Sequence, residues 1–341
     1  MEKNYSAWQI QEKNFPSGGS VKEKIKFILG YAILSPSSHN SQPWETEINN
    51  NNLKIKYSQS RLLPHGDPDG KLRNLAIGAF TRTFEIAANH FGLGCNIQLF
   101  PGEKNVIADI GIYESAGVQK WTEDGLEFIV KRTTNRNFFK PNKIDSELFQ
   151  KISILSDQKI NVKIFSEKND IYKIIEVVER GVEKAMKNKN FRKELSRYKK
   201  HNLTSSFVGM PGFDMGYSLF FSIIFPYIIK FFPIAPLVKV KDRKLLLDGT
   251  PNLVIISTAT NSPIEQVSAG SMLVEIMLIA EKFGAATHFM AAAIYDNEIS
   301  RQLGSVLGIQ GIPQGFLRIG YSEKKPLHSP RLPVDKIIKY E

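Results

Sequence analysis

Apolar residues recur at helical spacing in three parts of the chain. Between 21 and 34, Ile25, Ile28, Leu29, Ala32 and Ile33 form a stripe that predicts an amphipathic helix. Phe80, Phe84, Ala87, Ala88 and Phe91 form another between 78 and 92, and Met272, Ile276, Ile279, Ala280 and Phe283 a third between 270 and 284. The last two segments align without a gap, and each ends on a glycine, Gly92 or Gly284, as a helix does when its C-terminus needs a left-handed residue. A strand-like run precedes each copy, at 53–57 and 253–258, and another follows, at 106–113 and 315–321. Two amphipathic helices can resemble each other by chance, but the shared order of flanking strands favours two related α+β halves. A polar-capped helix is expected from about Asp145.

One stretch fits neither half. Residues 217–238, YSLFFSIIFPYIIKFFPIAPLV, have about the length that crosses a bilayer, and basic residues follow them. Pro226, Pro233 and Pro236 interrupt the run, Lys230 lies inside it, and Ser218 and Ser222 dilute it. The expectation is an apolar cover over a ligand, or a peripheral membrane contact, in preference to a spanning helix.

Composition narrows the classes. At 341 residues and 42% hydrophobic content the chain can bury a large core, as two domains or one elaborate one. A net charge of +11 suits a phosphate-bearing ligand, an anionic membrane or a nucleic acid, but the basic residues are spread out, with one cluster at 239–244. No nucleic-acid-binding signature accompanies them, so no nucleic-acid partner is expected. Cys95 is the single cysteine, which excludes an intrachain disulfide and a cysteine-rich metal site. Residues 1–24 are polar and mixed in charge, unlike a secretory signal, and the expected location is the cytoplasm.

Two polar segments carry candidate chemistry. Residues 36–44, PSSHNSQPW, pack hydroxyls, amides and two prolines into a turn directly after the first helix. Lys131-Arg132-Thr133-Thr134-Asn135-Arg136 sets two arginines around two hydroxyls, a combination that grips an anion through paired guanidinium donors. By itself such a segment is also what an ordinary surface turn looks like. His39 and His288 lie beside candidate segments and are read as polar contacts, with acid–base roles left open. Asp67 and Asp69, in HGDPDG, could hold a cation but are read as turn residues. Gly92-Leu-Gly94 lacks the rest of a dinucleotide fingerprint, and no P-loop, HExxH or GxSxG is present.

PSSHNSQPW resembles the PSxxNxQPW loop of the nitroreductase superfamily, and RTTNR resembles that superfamily's RxSxR phosphate-binding segment. The GDPDG stretch around Asp67, and an arginine segment placed after a complete first half, resemble its Acg-like subgroup most. The resemblance spans most of 25–335, though 195–250 match nothing in it. It implies a nitroreductase-like α+β fold with mainly antiparallel sheets flanked by helices. Because the two motifs belong to different halves, it also implies an intrachain pseudo-dimer, with halves at 21–125 and 131–335 and an insertion at about 200–245. The protein would then be a monomer or a homodimer of such pseudo-dimers.

Residue by residue, the resemblance implies that Arg132, Thr133, Thr134 and Arg136 hold the phosphate and neighbouring hydroxyls of FMN. Arg331, in a terminal PRLP segment, would add a third cation. Pro36, Ser37, Ser38 and Asn40 would line the isoalloxazine and ribityl chain from the other half, Gln42 would anchor the loop, and Trp44 would sit in the core. Met290 and Ala291 stand where relatives offer backbone amides to the flavin, although relatives often have an acidic residue and glycine there. No catalytic side chain and no metal are implied. The activity implied is an NAD(P)H-dependent FMN oxidoreductase acting on a nitroaromatic, quinone or other planar acceptor, with the apolar segment 217–236 closing over the flavin. The alternative is an FMN-binding storage or stress protein with little turnover.

Overall fold

The structure, a computed structural model, describes residues 3–114 and 125–339. The stretch 115–124, which the sequence places at the end of the first half, lies outside them. A 3-10 segment at Lys3–Gln9 leads to α1 (Val21–Ala32), started by a capping box in which Ser20 and Glu23 satisfy each other's backbone N–H. Then come β1 (Trp44–Asn49), β2 (Asn52–Tyr57), α2 (Lys71–His90), β3 (Leu93–Leu99), β4 (Val106–Glu114) and α3 (Leu126–Lys131). The second part runs α4 (Ser146–Ser153), β5 (Ile160–Phe165), α5 (Lys168–Lys187), α6 (Lys189–Tyr198) and the short strands β6 (Lys199–Lys200) and β7 (Met210–Pro211). It continues with α7 (Leu219–Phe231), α8 (Ala235–Gly249), β8 (Asn252–Thr258), α9 (Pro263–Lys282), β9 (Ala286–Phe289), α10 (Asn297–Leu307), β10 (Ile312–Gly320) and β11 (Ile338–Lys339).

The fold is α+β, as the sequence predicts. One sheet has the order β11-β1-β2-β4-β3 and the other β5-β8-β10-β9; within both, every pairing is antiparallel except the short one of β11 with β1. The predicted strands at 53–57, 106–113, 253–258 and 315–321 fall on β2, β4, β8 and β10, within a few residues at each end. Strands β1 and β2 alternate buried with less buried positions, whereas β8 and nearly all of β10 are buried throughout, consistent with a strand covered on both faces. Asp145 stands at the N-cap of α4 as expected, although its side chain caps no N–H.

The two sheets do not keep separate cores. Leu72 and Leu75 of α2 pack with the second sheet, while Val267, Val274 and Leu278 of α9 pack with the first. At two glycines the helices meet backbone to backbone, without side chains between them. A Cβ on Gly78 would lie 1.8 Å from the Val267 carbonyl oxygen, and one on Gly270 would lie 2.1 Å from that of Leu75. Gly78 and Gly270 are counterparts in the gap-free alignment, and so are Leu75 and Val267, so each helix offers its glycine to the same carbonyl of the other. Asn74 donates to Gln266 at 2.6 Å, again counterpart to counterpart. The chain end is exchanged as well: β11 pairs with β1 of the first sheet, and Leu332, Ile337 and Ile338 join its core.

Candidate active site

The PSSHNSQPW loop leaves α1 and turns through three non-glycine residues in left-handed backbone, His39, Asn40 and Gln42. Such a conformation costs about 1 kcal/mol or more per residue, so the surroundings must hold it. Asn40 does much of this. Its Nδ2 donates to the carbonyls of Gly209 (3.0 Å) and Pro330 (2.8 Å), and its Oδ1 accepts from Arg331 Nη1 at 2.6 Å. Gln42 donates to the Phe207 carbonyl at 2.7 Å and accepts from Leu332 N at 2.9 Å, and is the loop anchor the sequence implies. Trp44 is fully buried against Phe80, also as expected.

The RTTNR segment runs extended beside the second sheet, joined by a Thr134–Thr287 bridge and by Asn135 N donating to the Thr287 carbonyl at 2.9 Å. Asn135 is buried and its Nδ2 donates to the Lys324 carbonyl. The period of two in extended chain sets Arg132, Thr134 and Arg136 on the side facing the loop.

Between loop and segment lies a cavity of about 310 Å³. Pro36, Ser37 and Ser38 line one side, Thr134, Arg136, Met290 and Ala291 line another, and the floor includes Leu75 and Ala79 of α2 and Leu273 and Met277 of α9. Seven of the eleven predicted cofactor residues therefore meet at one cavity.

The other four, Asn40, Thr133, Arg132 and Arg331, stand behind the cavity wall. Asn40 does not present its amide to the cavity, because the Gly209 and Pro330 carbonyls and Arg331 use it. Thr133 points away, on the opposite side of the extended segment from Arg132 and Thr134. Arg132 and Arg331 are both buried and converge on one neutral group: each donates to the Leu34 carbonyl, at 3.1 and 3.2 Å. Burial pushes both guanidinium groups down from their ordinary range, and the Arg132 charge lowers Arg331 further. Neither pairs with a carboxylate within 4.0 Å among the described residues, and Arg331 Nε has no hydrogen-bond partner. Trp8 of the N-terminal segment lies against the Arg331 guanidinium at 4.8 Å.

Two further expectations change. The Met290 backbone N–H is taken, donating to the Phe316 carbonyl at 3.0 Å, so the donors left at that corner belong to Ala291 and the 3-10 turn it opens. The run covers the cavity only at its far end: no residue of α7 lines the cavity, and the roof comes from Met215 and from Val238 and Asp242 of α8. Asp67 and Asp69 act as turn and cap residues, Asp67 accepting from the N–H groups of Leu72 and Arg73 at 2.8 Å each.

The cavity also holds titratable groups with no motif to announce them. Burial brings Lys199 down to about 7, helped by the Arg136 charge, and raises Asp242 to about 6 against the pull of Lys241 and Arg318. Arg318 is fully buried; its Nη1 donates to His288 Nδ1 at 3.0 Å, so that imidazole keeps its proton on Nε2. Asp242 is the lone acid in the basic run 239–244, the one hint in the sequence that it turns inward.

Three imidazoles near the site are held neutral. Burial takes His39 to about 3 and His328 to about 4, and puts His288 well below its usual range; cationic neighbours push the same way. Below about pH 6.5 the unfolded chain takes up protons that these groups refuse in the fold, so the stability they contribute is present above 6.5 and lost as pH falls towards 4 and 3. Asp242 opposes this, since its raised carboxyl penalises the fold above pH 6 and relieves it below, and His328 adds less because it is less deeply buried. The net expectation is a loss of about 2 kcal/mol of stability per pH unit between pH 6.5 and 5. Denaturant midpoints at pH 7 and pH 5 test it; a higher midpoint at pH 5 would show that the carboxylates dominate.

The fold and site define an α+β protein with a cavity set between an arginine segment and a strained polar loop. No family model matches the chain. It is similar over nearly its whole length to "Putative NAD(P)H nitroreductase acg" of Mycobacterium tuberculosis, 24% identical over 322 residues that cover 92% of this chain and 94% of that one. An uncharacterized protein of the same organism, Rv3127, is 21% identical over 340 residues, covering 92% of each. Among solved structures, the FMN-dependent nitroreductase NfnB from Mycobacterium smegmatis in complex with NADPH is 13% identical and covers 63% of this chain and 96% of its own, with a TM-score of 0.41. A BluB-like flavoprotein from Clostridium difficile 630 is 16% identical over 63% of this chain and 97% of its own, with a TM-score of 0.38. The resemblance carried by the two motifs is thus to the nitroreductase superfamily and its Acg-like group, and in sequence it runs the length of the chain.

Proposed function

We propose that this protein is an FMN-dependent oxidoreductase of the nitroreductase type, using NAD(P)H to reduce a nitroaromatic, quinone or similar planar acceptor. The observation that carries the reading is the pair Arg132 and Arg331. Two buried cations share one neutral carbonyl and, among the described residues, pair with no carboxylate, an arrangement that costs stability unless an anion completes it. A phosphate monoester dianion suits them, since guanidinium groups bind phosphate oxygens through paired donors. The cavity beside them has the apolar floor and few polar groups that a flat ring system needs.

In this reading Arg132 and Arg331 hold the phosphate end, with Arg136 and Thr134 next to it. Ser37, Ser38 and the Ala291 backbone border the ring. When bound, FMN supplies the hydride and electron chemistry. The protein's own share is to orient and to exclude water. The loop is rigid because Asn40 and Gln42 tie it to two distant segments, 207–209 and 330–332, and Val238 on α8 closes the roof. Arg318 keeps His288 neutral and oriented, so no additional cation faces the ring from that side.

The reading includes two nitroreductase-like halves, 21–125 and 131–335, facing each other as two subunits would. The reciprocal glycine contacts of α2 and α9 support this, as does a site that takes its loop from one half and its arginine segment from the other. Anaerobic titration of the purified protein with NADH and NADPH is the test. The expected result is a yellow protein whose 450 nm-region absorbance bleaches on addition of one of them and returns on addition of a quinone. A protein that binds no added FMN would sink the site, and one that binds FMN but never bleaches would sink the enzyme.

A further inference from the structure

The outward face of α7 and the start of α8 has no role in the site and, among the described residues, no partner. More than half of the exposed large apolar side chains among the described residues lie between Leu219 and Val240. Phe220 is 74% exposed, Leu237 72%, and Tyr227, Phe231 and Phe232 63% each. A contiguous patch of this kind on a folded protein marks a binding surface.

The inward face explains how the hairpin stays in place. Ser222 and Ile229, seven residues apart and so on one side of α7, are buried; Ser222 Oγ accepts from Asn202 N at 3.1 Å, and Ile229 packs with Met210 and Ala235. The exposed aromatics therefore hold nothing together in the protein itself.

We propose that this hairpin docks the protein onto an anionic lipid bilayer. Three observations favour a membrane as the occupant. First, α7 and α8 turn through 118°, so they form an angled apolar surface and not one continuous span. Second, the exposed side chains are mainly aromatic or branched aliphatic, the types that settle at the depth of lipid headgroups. Third, no Asp or Glu occurs between Met215 and Lys241, whereas Lys230 lies exposed there beside Phe231; Lys239, by contrast, already pairs with Glu179 and Glu183. A second copy meeting this face symmetrically would set lysine against lysine, while lipid phosphate neutralises them. Because Val238 and Asp242 of the same α8 line the cavity, docking would bring its roof to the membrane surface.

Flotation of the full-length protein with vesicles tests this. Phosphatidylcholine vesicles containing about one third phosphatidylglycerol are expected to carry most of the protein, pure phosphatidylcholine far less, and raised salt is expected to weaken the binding. Changing Phe220→Ser, Tyr227→Ser, Phe231→Ser and Phe232→Ser together is expected to lower partitioning at least tenfold while circular dichroism stays unchanged. Lys230→Glu is expected to reduce binding to the anionic vesicles alone. Wild-type protein that floats with neither vesicle, or a quadruple variant that folds and still floats, would overturn the proposal. So would light scattering that shows a dimer broken by the four changes in a protein that never binds vesicles, which would assign the face to a second copy.

Discussion

Replacing Gly78 with alanine is expected to destabilise the protein by about 3 kcal/mol or more, because the added carbon must go where a backbone oxygen already stands. In an ordinary helix the same change helps, by about 1 kcal/mol, since alanine is the better helix former. The clash decides the sign. At 1.8 Å from the Val267 carbonyl oxygen there is no flexible side chain to move aside, so α2 and α9 must separate. These helices carry Leu75 into one core and Val267 into the other, so separating them loosens both. Gly270→Ala should cost a similar amount, because it meets the Leu75 carbonyl at 2.1 Å. Gly18→Ala, with nothing within 4 Å, is the control. Thermal unfolding reads the result: a melting temperature for Gly78→Ala within about 2 °C of wild type would mean the helices slide past each other freely.

Those glycines show what a one-dimensional reading reaches and where it stops. The alignment of 78–92 with 270–284 found both helices, and periodicity found the strands at their sides, because burial on one face leaves its period in the sequence. That the paired helices press glycine to carbonyl could not be read, since a glycine inside a helical pattern has many explanations. The swap of core residues between halves has no local signature either. Nor does β11, two residues that pair with a strand nearly three hundred positions earlier.

The site was legible to the extent that it is made of motifs. Loop and arginine segment do meet at one cavity, which neither shows alone. The reading placed too many groups against the ligand, however. Asn40 looked like a ligand contact because an amide matches a flavin edge, but three left-handed residues within four positions need an internal tie, and the amide is that tie. The 217–238 run looked like a cover because it is apolar. Which face of a helix turns inward depends on neighbours such as Asn202 and Met210, and hydropathy alone cannot say. Lys199, Asp242 and Arg318 were missed because single charged residues carry no spacing. Only burial makes them unusual.

The second large effect expected is on ligand affinity. Arg132→Met and Arg331→Met together should weaken FMN binding by roughly a thousandfold, since losing charge-assisted bonds to a buried phosphate costs several kcal/mol. Methionine keeps the apolar length of the side chain, so packing is disturbed less than by alanine. The two changes should not add, because the arginines act on one anion, and either alone should account for more than half of the free energy lost. Riboflavin separates this from simple damage. It has the ring and ribityl chain of FMN without the phosphate, so its affinity should change little in the double variant. Arg331→Lys should recover part of the loss for FMN, as it returns the charge without the fork of donors. Fluorescence quenching on titration gives each of these affinities. Equal weakening of FMN and riboflavin would mean that Arg331 acts only by holding Asn40 and the loop. Unchanged FMN affinity would mean that the phosphate lies elsewhere, and the convergence on the Leu34 carbonyl would then need a different anion.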